Sequence, residues 1–113
     1  MENEKFYTMH ADMCKTISNP RRQAIINTIR DKELTVSEIV KKTGVSQANI
    51  SQHLSILRSK GIVQTRRDGN NIYYSLSTLK ILKAYDLISE VLKEAMASRN
   101  KTVEDGIGIK REK

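Results

Sequence analysis

The segment from Thr35 to Leu76 constrains the fold most, because it sets out two short helices joined by a glycine turn and then a two-stranded hairpin. Thr35 and Glu38 have the three-residue spacing with which side chains cap the free amides of a helix start. Gly44 can adopt the left-handed conformation that ends a helix, and Ser46 can cap the next one. The segment therefore predicts a helix–turn–helix followed by a hairpin.

The second of these helices, predicted from about Ser46 to Lys60, combines an apolar face with an uncharged polar one. Ile50, Leu54 and Leu57 recur at spacings of four and three, which puts them on one side. The rest of the surface carries mainly short neutral hydrogen-bonding groups, which suit the reading of base edges in a DNA groove. The candidate DNA contacts on this helix are Ser46, Gln47, Asn49, Ser51, Gln52 and His53.

His53 differs from the other candidates because it lies on the flank of the helix. A phosphate contact and plain packing are both open for this side chain, and neither requires catalysis.

Two runs rich in β-branched and aromatic residues, 62–67 and 72–76, predict the strands of the hairpin. The sequence Asp-Gly-Asn-Asn between them is typical of a tight turn. Arg66 and Arg67 stand beside this turn, where guanidinium groups can reach phosphates or a minor groove. Solvated arginines on an ordinary surface hairpin are the alternative, which the preceding helix pair disfavours. The candidate DNA contacts on the hairpin are Arg66, Arg67, Asn70 and Tyr73.

Composition and charge restrict the class of protein. The 113 residues suffice for one domain, and the formal net charge of +7 favours a polyanionic partner such as double-stranded DNA. The single cysteine excludes an internal disulfide framework and fits a reducing compartment. No apolar run approaches the roughly 20 residues that cross a bilayer, and the N-terminus lacks the apolar segment of a signal peptide. We therefore expect a cytoplasmic protein that does not associate with membranes.

Three further helical segments flank this region and complete the expected fold class: α+β, mainly α, a winged helix–turn–helix with about five helices and a two-stranded β-wing. A first helix precedes Asn19, which is expected to cap a second helix that begins at Pro20. The last helix is expected to run from a cap at Ser77 or Thr78 to about Ser98. Residues 1–98 would then form the DNA-binding and dimerisation domain, and residues 99–113 a flexible polar C-terminal tail.

The terminal helices carry more apolar surface than so small a core can cover. On the last helix the apolar residues repeat at four and three positions, the period of a helix that packs against another helix. A two-fold homodimer would bury these helices and place two recognition helices about 34 Å apart, one turn of DNA. A monomer whose terminal helices fold back on its own core is the alternative. The expected interface residues are Phe6, Met9, Met13, Ile81, Tyr85, Ile88 and Leu92.

Four stretches of this chain resemble the ArsR family of prokaryotic winged-helix repressors: residues 17–22, 46–54, 57–63, and 66–69 with 72–74. The likeness runs from about His10 to Ala95. It implies a homodimer that represses from an imperfect palindrome near a promoter and that an inducer releases, while the inducer itself stays unknown. On the positions that match the family, the recognition helix carries Gln47, Ser51, Gln52 and His53, and the wing spans residues 66–73.

The chain departs from the metal-sensing members of that family. Members that sense thiophilic metals carry Cys-Val-Cys before the turn, where this chain has Thr35, Val36 and Ser37. Zinc and nickel sensors place Asp and His ligands on the last helix, where Asp86 and Glu90 occur here without a histidine. Both sites lack the thiolate or imidazole ligands that make metal binding strong. We therefore expect no bound metal and no cofactor.

Cys14 lies one helical turn after His10, so both side chains can face one ion or one oxidant. The imidazole can make the thiol reactive, which would suit a redox or electrophile sensor. Carboxylates from the partner's last helix can also complete a zinc-like site with this pair. The alternative to both is a small apolar core residue, the usual role of a lone cysteine near a buried helical stripe.

The sequence shows no phosphate-binding glycine loop, nucleophile elbow or paired-carboxylate arrangement, so we expect no enzyme. The remaining alternative is a winged-helix protein-interaction module that does not read DNA. The neutral, amide-rich face of the second helix disfavours it, because a docking face would be acidic or broadly apolar. The predicted function is a sequence-specific DNA-binding transcriptional regulator, a dimeric repressor on an imperfect palindromic operator.

Overall fold

The computed structural model describes residues 3–107, with side chains to residue 100. Within that range it confirms the predicted five helices and two-stranded wing. Contacts divide the chain into two compact units, the first ending at Leu82 and the second beginning at Lys83. The elements are α1 (Glu4–Ser18), α2 (Pro20–Thr28), α3 (Val36–Thr43), α4 (Gln47–Ser59), β1 (Val63–Asp68), β2 (Asn71–Leu76) and α5 (Leu79–Ile107).

Side-chain caps fix where α2 and α3 begin. The Asn19 Oδ1 atom accepts hydrogen bonds from the backbone amides of Arg21 and Arg22 at 2.9 and 3.2 Å. The Thr35 hydroxyl accepts from the amide of Glu38 at 3.2 Å, and the Glu38 carboxylate accepts from the amide of Thr35 at 2.9 Å. These caps satisfy amides that have no partner inside the helix. Both were predicted from sequence, and both predictions are confirmed.

The turn between α3 and α4 is also as predicted. Gly44 ends α3 with a φ of 73°, a left-handed conformation that favours glycine. The Ser46 hydroxyl caps α4 by accepting from the Asn49 amide at 3.3 Å. Before α5, the Thr78 hydroxyl accepts from the Lys80 amide at 3.2 Å, so Thr78 is the cap of the two expected candidates.

One small apolar core lies between α2, α3, α4 and the base of the wing. The face of α4 predicted to be apolar, Ile50, Leu54 and Leu57, is fully buried. Burying each such side chain contributes roughly 1.5–3 kcal/mol, so this stripe fixes the rotation of α4 about its axis. The other fully buried side chains are Ile25, Ile26, Ile29, Ile39 and Ile62.

The wing is an antiparallel pair in which Val63 stands opposite Leu76, closed by a turn at Gly69 with a φ of 63°. Leu34, in the connection between α2 and α3, adds one residue of a third strand beside β2. Its amide donates to the Tyr74 carbonyl at 3.0 Å, and its carbonyl accepts from the Tyr74 amide at 2.8 Å. This bridge links the wing to the connection before α3, and it was not predicted from the sequence.

The last helix, α5, is longer than predicted. Its expected end at about Ser98, and the flexible tail expected from residue 99, are wrong for residues 99–107, which continue the helix. Residues 99–105 contain no glycine or proline, so helix propagation meets no breaker before Gly106. The rest of the predicted tail, residues 108–113, lies outside the described residues. Among the helices described, none combines the length and apolar character needed to span a membrane.

Replacing Leu54 with Ala tests the packing of α4. Because Leu54 is fully buried, we expect Leu54→Ala to lower the free energy of unfolding by about 2–5 kcal/mol. Ser55→Ala, at the exposed neighbouring position, is the matched control and should change it by less than about 0.5 kcal/mol. Denaturant unfolding followed by circular dichroism measures both. Equal effects of the two substitutions would contradict the placement of this face.

Candidate nucleic-acid interface

The solvent side of α4 is polar and uncharged. Gln47, Ser51 and Gln52 are exposed, as predicted, while Ile50 and Leu54 face the core. No Asp, Glu, Lys or Arg occurs from residue 47 to residue 57. The exposed side therefore offers amides and hydroxyls, groups that can donate to and accept from base edges.

Ser46 and Asn49 are engaged in the packing of the helix start. The Ser46 hydroxyl is used as the cap of α4. Asn49 is half-buried, and its Oδ1 atom is buried without a hydrogen-bond partner in the described part of the chain. The expectation that Asn49 stands on the exposed face is therefore wrong for that oxygen. Asn49 lies four residues before His53 and so on the flank of α4 that contacts α2, which is the physical reason.

His53 is half-buried on the flank of α4 and contacts α2. Its Nδ1 atom accepts a hydrogen bond from Arg22 Nε at 3.3 Å. Burial, and then the positive charges of Arg22 and Arg21, lower the pKa of His53. The neutral imidazole is therefore favoured, and it serves as an acceptor inside the protein. Of the two roles left open by the sequence, this geometry supports packing.

Two contacts distant in sequence hold α4 to the elements before it. Arg22 also donates from Nη1 to the Thr16 carbonyl at 2.9 Å, so one guanidinium joins the end of α1 to α4. At the other end of α4, the Lys60 ammonium lies 2.7 Å from Asp12 Oδ2. The hydrogen bond from Lys60, and then its charge, lower the pKa of Asp12. The contacts of Arg22 with His53 and of Lys60 with Asp12 were not predicted from the sequence, because the partners lie 31 and 48 positions apart.

Arg66 and Arg67 lie on opposite faces of the wing. The strand register places Arg66 opposite Tyr73 and Arg67 opposite Ile72. Side chains directly across an antiparallel pair share a face, and successive residues alternate between faces. Arg67 therefore shares its face with the buried residues at the base of the wing, and Arg66 and Tyr73 occupy the outer face.

The outer face of the wing already gives Arg66 two partners. Its Nε atom lies 3.1 and 3.0 Å from the two carboxylate oxygens of Glu33. Its guanidinium carbon lies 4.8 Å from the centre of the Tyr73 ring, a cation–π contact. The hydrogen bond and charge of Glu33 raise the pKa of Arg66. Arg67 is exposed, and among the side chains that the structure describes, residues 3–100, no ion pair involves it. Asn70 is exposed at the turn.

Cys14 and His10 are adjacent on α1, as their spacing predicts, with Cys14 Sγ 3.6 Å from His10 Nδ1. The thiol is exposed, so the alternative of a buried core cysteine is wrong for this subunit. In the part of the chain that the structure describes, no group of three or more His, Cys, Asp or Glu side chains is arranged to hold a metal ion. The pair alone supplies two ligands of a site.

Large apolar side chains are exposed along α1 and, separately, along α5. Ile81 departs from the expected interface set, because it is partly buried against the core of its own subunit. Tyr85 is half-buried. The predicted interface residues that stand exposed are Phe6, Met9, Met13, Ile88 and Leu92.

Comparison with known proteins agrees with this architecture. Residues 19–65 match the family model described as bacterial regulatory protein, arsR family. The chain is 32% identical over 106 residues to the uncharacterized HTH-type transcriptional regulator Rv0081 of Mycobacterium tuberculosis, covering 93% of each. The crystal structure of Rv0081 matches with a TM-score of 0.79 and 31% identity, over 85% of this chain and 97% of that one.

Relatives with a described role or assembly also match. The biofilm growth-associated repressor of Xylella fastidiosa is 39% identical over 70 residues, 62% of this chain and 61% of the repressor. The transcriptional activator HlyU of Vibrio cholerae is 32% identical over 94 residues, 83% of this chain and 87% of HlyU. The homodimeric winged helix-turn-helix DNA-binding domain of Mb0332 from Mycobacterium bovis matches with a TM-score of 0.73 and 27% identity, covering 81% and 85%.

The helix–turn–helix, the wing and the similarity over nearly the whole length of Rv0081 lead to one assignment. The chain belongs to the ArsR family and is a DNA-binding transcriptional regulator rather than an enzyme.

Proposed function

We propose that this regulator is a homodimeric repressor that reads an imperfect palindromic operator with α4. The observation that carries the proposal is that the exposed face of α4 is uncharged. The helix packs against the core through its opposite face. Flat amides such as those of Gln47 and Gln52 can form two hydrogen bonds with an adenine edge, and the Ser51 hydroxyl can donate or accept. Arg67 on the wing supplies a phosphate or minor-groove contact, supported by the net charge of +7.

The homodimer in this proposal is supported by the apolar side chains exposed on both terminal helices. Monomers seldom leave so many large apolar groups in water, whereas a two-fold interface buries each patch against its copy. The description of Mb0332 as homodimeric favours the same assembly. In such a dimer, two copies of α4 about 34 Å apart would enter successive major grooves, which is why the operator would be palindromic.

We propose repression rather than activation because the chain is similar to the Xylella fastidiosa repressor. HlyU, another relative, is an activator, so the direction of regulation is tested by experiment. A repressor covers the promoter that it regulates, so deletion of its gene should raise transcription of the adjacent operon. Reporter fusions in the host measure the direction. A DNA target is consistent with a cytoplasmic protein, which is the location that we propose.

Replacing the α4 glutamines tests base reading. We expect Gln47→Ala or Gln52→Ala to cost about 1–3 kcal/mol on the operator and to leave binding to a scrambled duplex nearly unchanged. Gln64→Ala, which removes an exposed glutamine of β1, is the matched control and should affect the two duplexes equally. Fluorescence anisotropy with duplexes selected from the host genome provides the affinities.

Two results would count against this account of α4. Equal losses on operator and scrambled duplexes would remove the helix as the specificity element. A wild-type protein with no preference for any genomic duplex would favour the protein-interaction module.

Replacing Ile88 with Glu tests the dimer. Ile88 is 65% exposed in the single subunit, so a charge there costs little in a monomer but disrupts an apolar interface. We expect Ile88→Glu to dissociate the dimer or unfold the protein, and Lys93→Glu, an exposed position on the same helix, to leave the dimer intact. Size-exclusion chromatography with light scattering measures the mass. A folded wild-type monomer at micromolar concentration would contradict the proposal.

Equilibrium dialysis against zinc and cadmium tests the proposal that regulation is independent of metal. Thr35 and Ser37 lack the thiolates of metal-sensing relatives, and one thiol with one imidazole makes a weak site. We expect less than one metal per subunit below micromolar free metal, with the same result for Cys14→Ser. Stoichiometric binding that disappears in Cys14→Ser would instead identify Cys14 and His10 as ligands.

A further inference from the structure

Three side chains form a row across the outer face of the wing. Arg66 on β1 stands opposite Tyr73 on β2, and Glu33 precedes Leu34, the residue that pairs with β2 at its other edge. The Arg66 side chain lies over the Tyr73 ring at 4.8 Å and donates to both carboxylate oxygens of Glu33. The cation therefore extends across the wing toward the connection between α2 and α3, on the face opposite to Arg67.

We propose that Arg66 binds Glu33 rather than a DNA phosphate, so that of the two wing arginines only Arg67 contacts DNA. The inference rests on the proposed function, because it concerns the same wing on the same DNA. A guanidinium that leaves this position gives up a charge-assisted hydrogen bond and its contact with an aromatic face. Glu33 therefore lowers the affinity of the regulator for DNA and the dependence of that affinity on salt.

The exposure of the pair makes the effect measurable with one substitution. The Arg66 and Glu33 side chains are 51% and 43% exposed, and the Arg66 guanidinium borders an open cleft of about 710 Å³. A freed Arg66 thus has room to change its rotamer. Without the Glu33 charge, the contact with the Tyr73 ring remains, and a cation–π contact at an exposed site is weak alone, so the guanidinium is released. Each phosphate that a cation neutralises releases counterions and steepens the salt dependence of binding by about 0.9.

Asp31 provides a control for charge alone. It lies two residues before Glu33 and is exposed, and no ion pair between Asp31 and Arg66 occurs in the described structure. Asp31→Asn therefore removes one negative charge near the wing without touching the row, whereas Glu33→Gln removes the charge that pairs with Arg66 and one of the two acceptor oxygens.

The first measurement needs no DNA. In ¹H–¹⁵N spectra of the wild-type protein we expect a protected Arg66 Nε–H signal, identified by its absence in Arg66→Ala. Glu33→Ala, which removes both acceptor oxygens, should broaden or remove this signal, and Asp31→Asn should keep it. A signal unchanged in Glu33→Ala would show that Glu33 does not hold Arg66, and the inference would fall.

The second measurement is the salt dependence of binding to a duplex of arbitrary sequence, by fluorescence anisotropy. Arg67→Ala should reduce the slope of log affinity against log salt by about one for each wing on the duplex, and Arg66→Ala should leave it unchanged. Glu33→Gln should raise the slope by about one per wing and the low-salt affinity about two- to fivefold, more than Asp31→Asn does. That gain should vanish in the double variant Glu33→Gln/Arg66→Ala.

The outcomes separate the inference from the proposed function. A loss of slope in Arg66→Ala equal to that in Arg67→Ala would show that Arg66 contacts DNA despite Glu33. A gain that persists in the double variant would assign it to charge alone. Either result overturns the inference while the regulator still binds DNA. A wild-type protein that binds no duplex overturns the proposed function and the inference together.

Discussion

The proposed reading of DNA by α4 depends on the helix being held from one side. Three buried residues, Ile50, Leu54 and Leu57, fix the rotation of the helix, and this leaves the opposite face in water. The contacts that complete the attachment lie at the margins: His53 accepts from Arg22 on the flank, and Lys60 pairs with Asp12 at the end. Because none of them uses the outer face, its amides and hydroxyls remain available to bases.

Features set by neighbouring residues could be predicted from the sequence. The Asn19 cap, the capping box at Thr35 and the turn at Gly44 depend on residues within four positions, so their chemistry is visible in the chain itself. The contacts of Arg22 with His53 and of Arg66 with Glu33 span 31 and 33 positions, so no pattern of neighbouring residues predicts them. The end of α5 was misjudged for another reason, because polar composition alone does not stop a helix.

Helical phase predicted the exposure of the candidate interface residues only in part. Ser51 and Gln52 lie on other sides of α4 from the buried stripe and are exposed, whereas Gln47 has the phase of the stripe and is exposed as the first residue of the helix. Asn49 lies four residues before His53, on the flank that contacts α2, and its oxygen is buried. The sequence alone could have separated Arg66 from Arg67, because adjacent residues of a strand point to opposite faces. The strand period could not predict the partner of Arg66, because that partner lies in the connection before α3.

The position that would distinguish a metal sensor has a structural role in this chain. The resemblance to the family implies that Thr35 stands where the thiophilic-metal sensors have their first cysteine, and here its hydroxyl accepts the Glu38 amide in a capping box that starts α3. A thiol is a weak acceptor, so a cysteine at this position would lose much of a cap that is typically worth about 0.5–2 kcal/mol. Helix initiation and metal binding therefore place different demands on this side chain, and this sequence satisfies the first. The exposed Cys14 and His10 belong instead to α1, the helix that reaches α4 through Asp12 and Lys60.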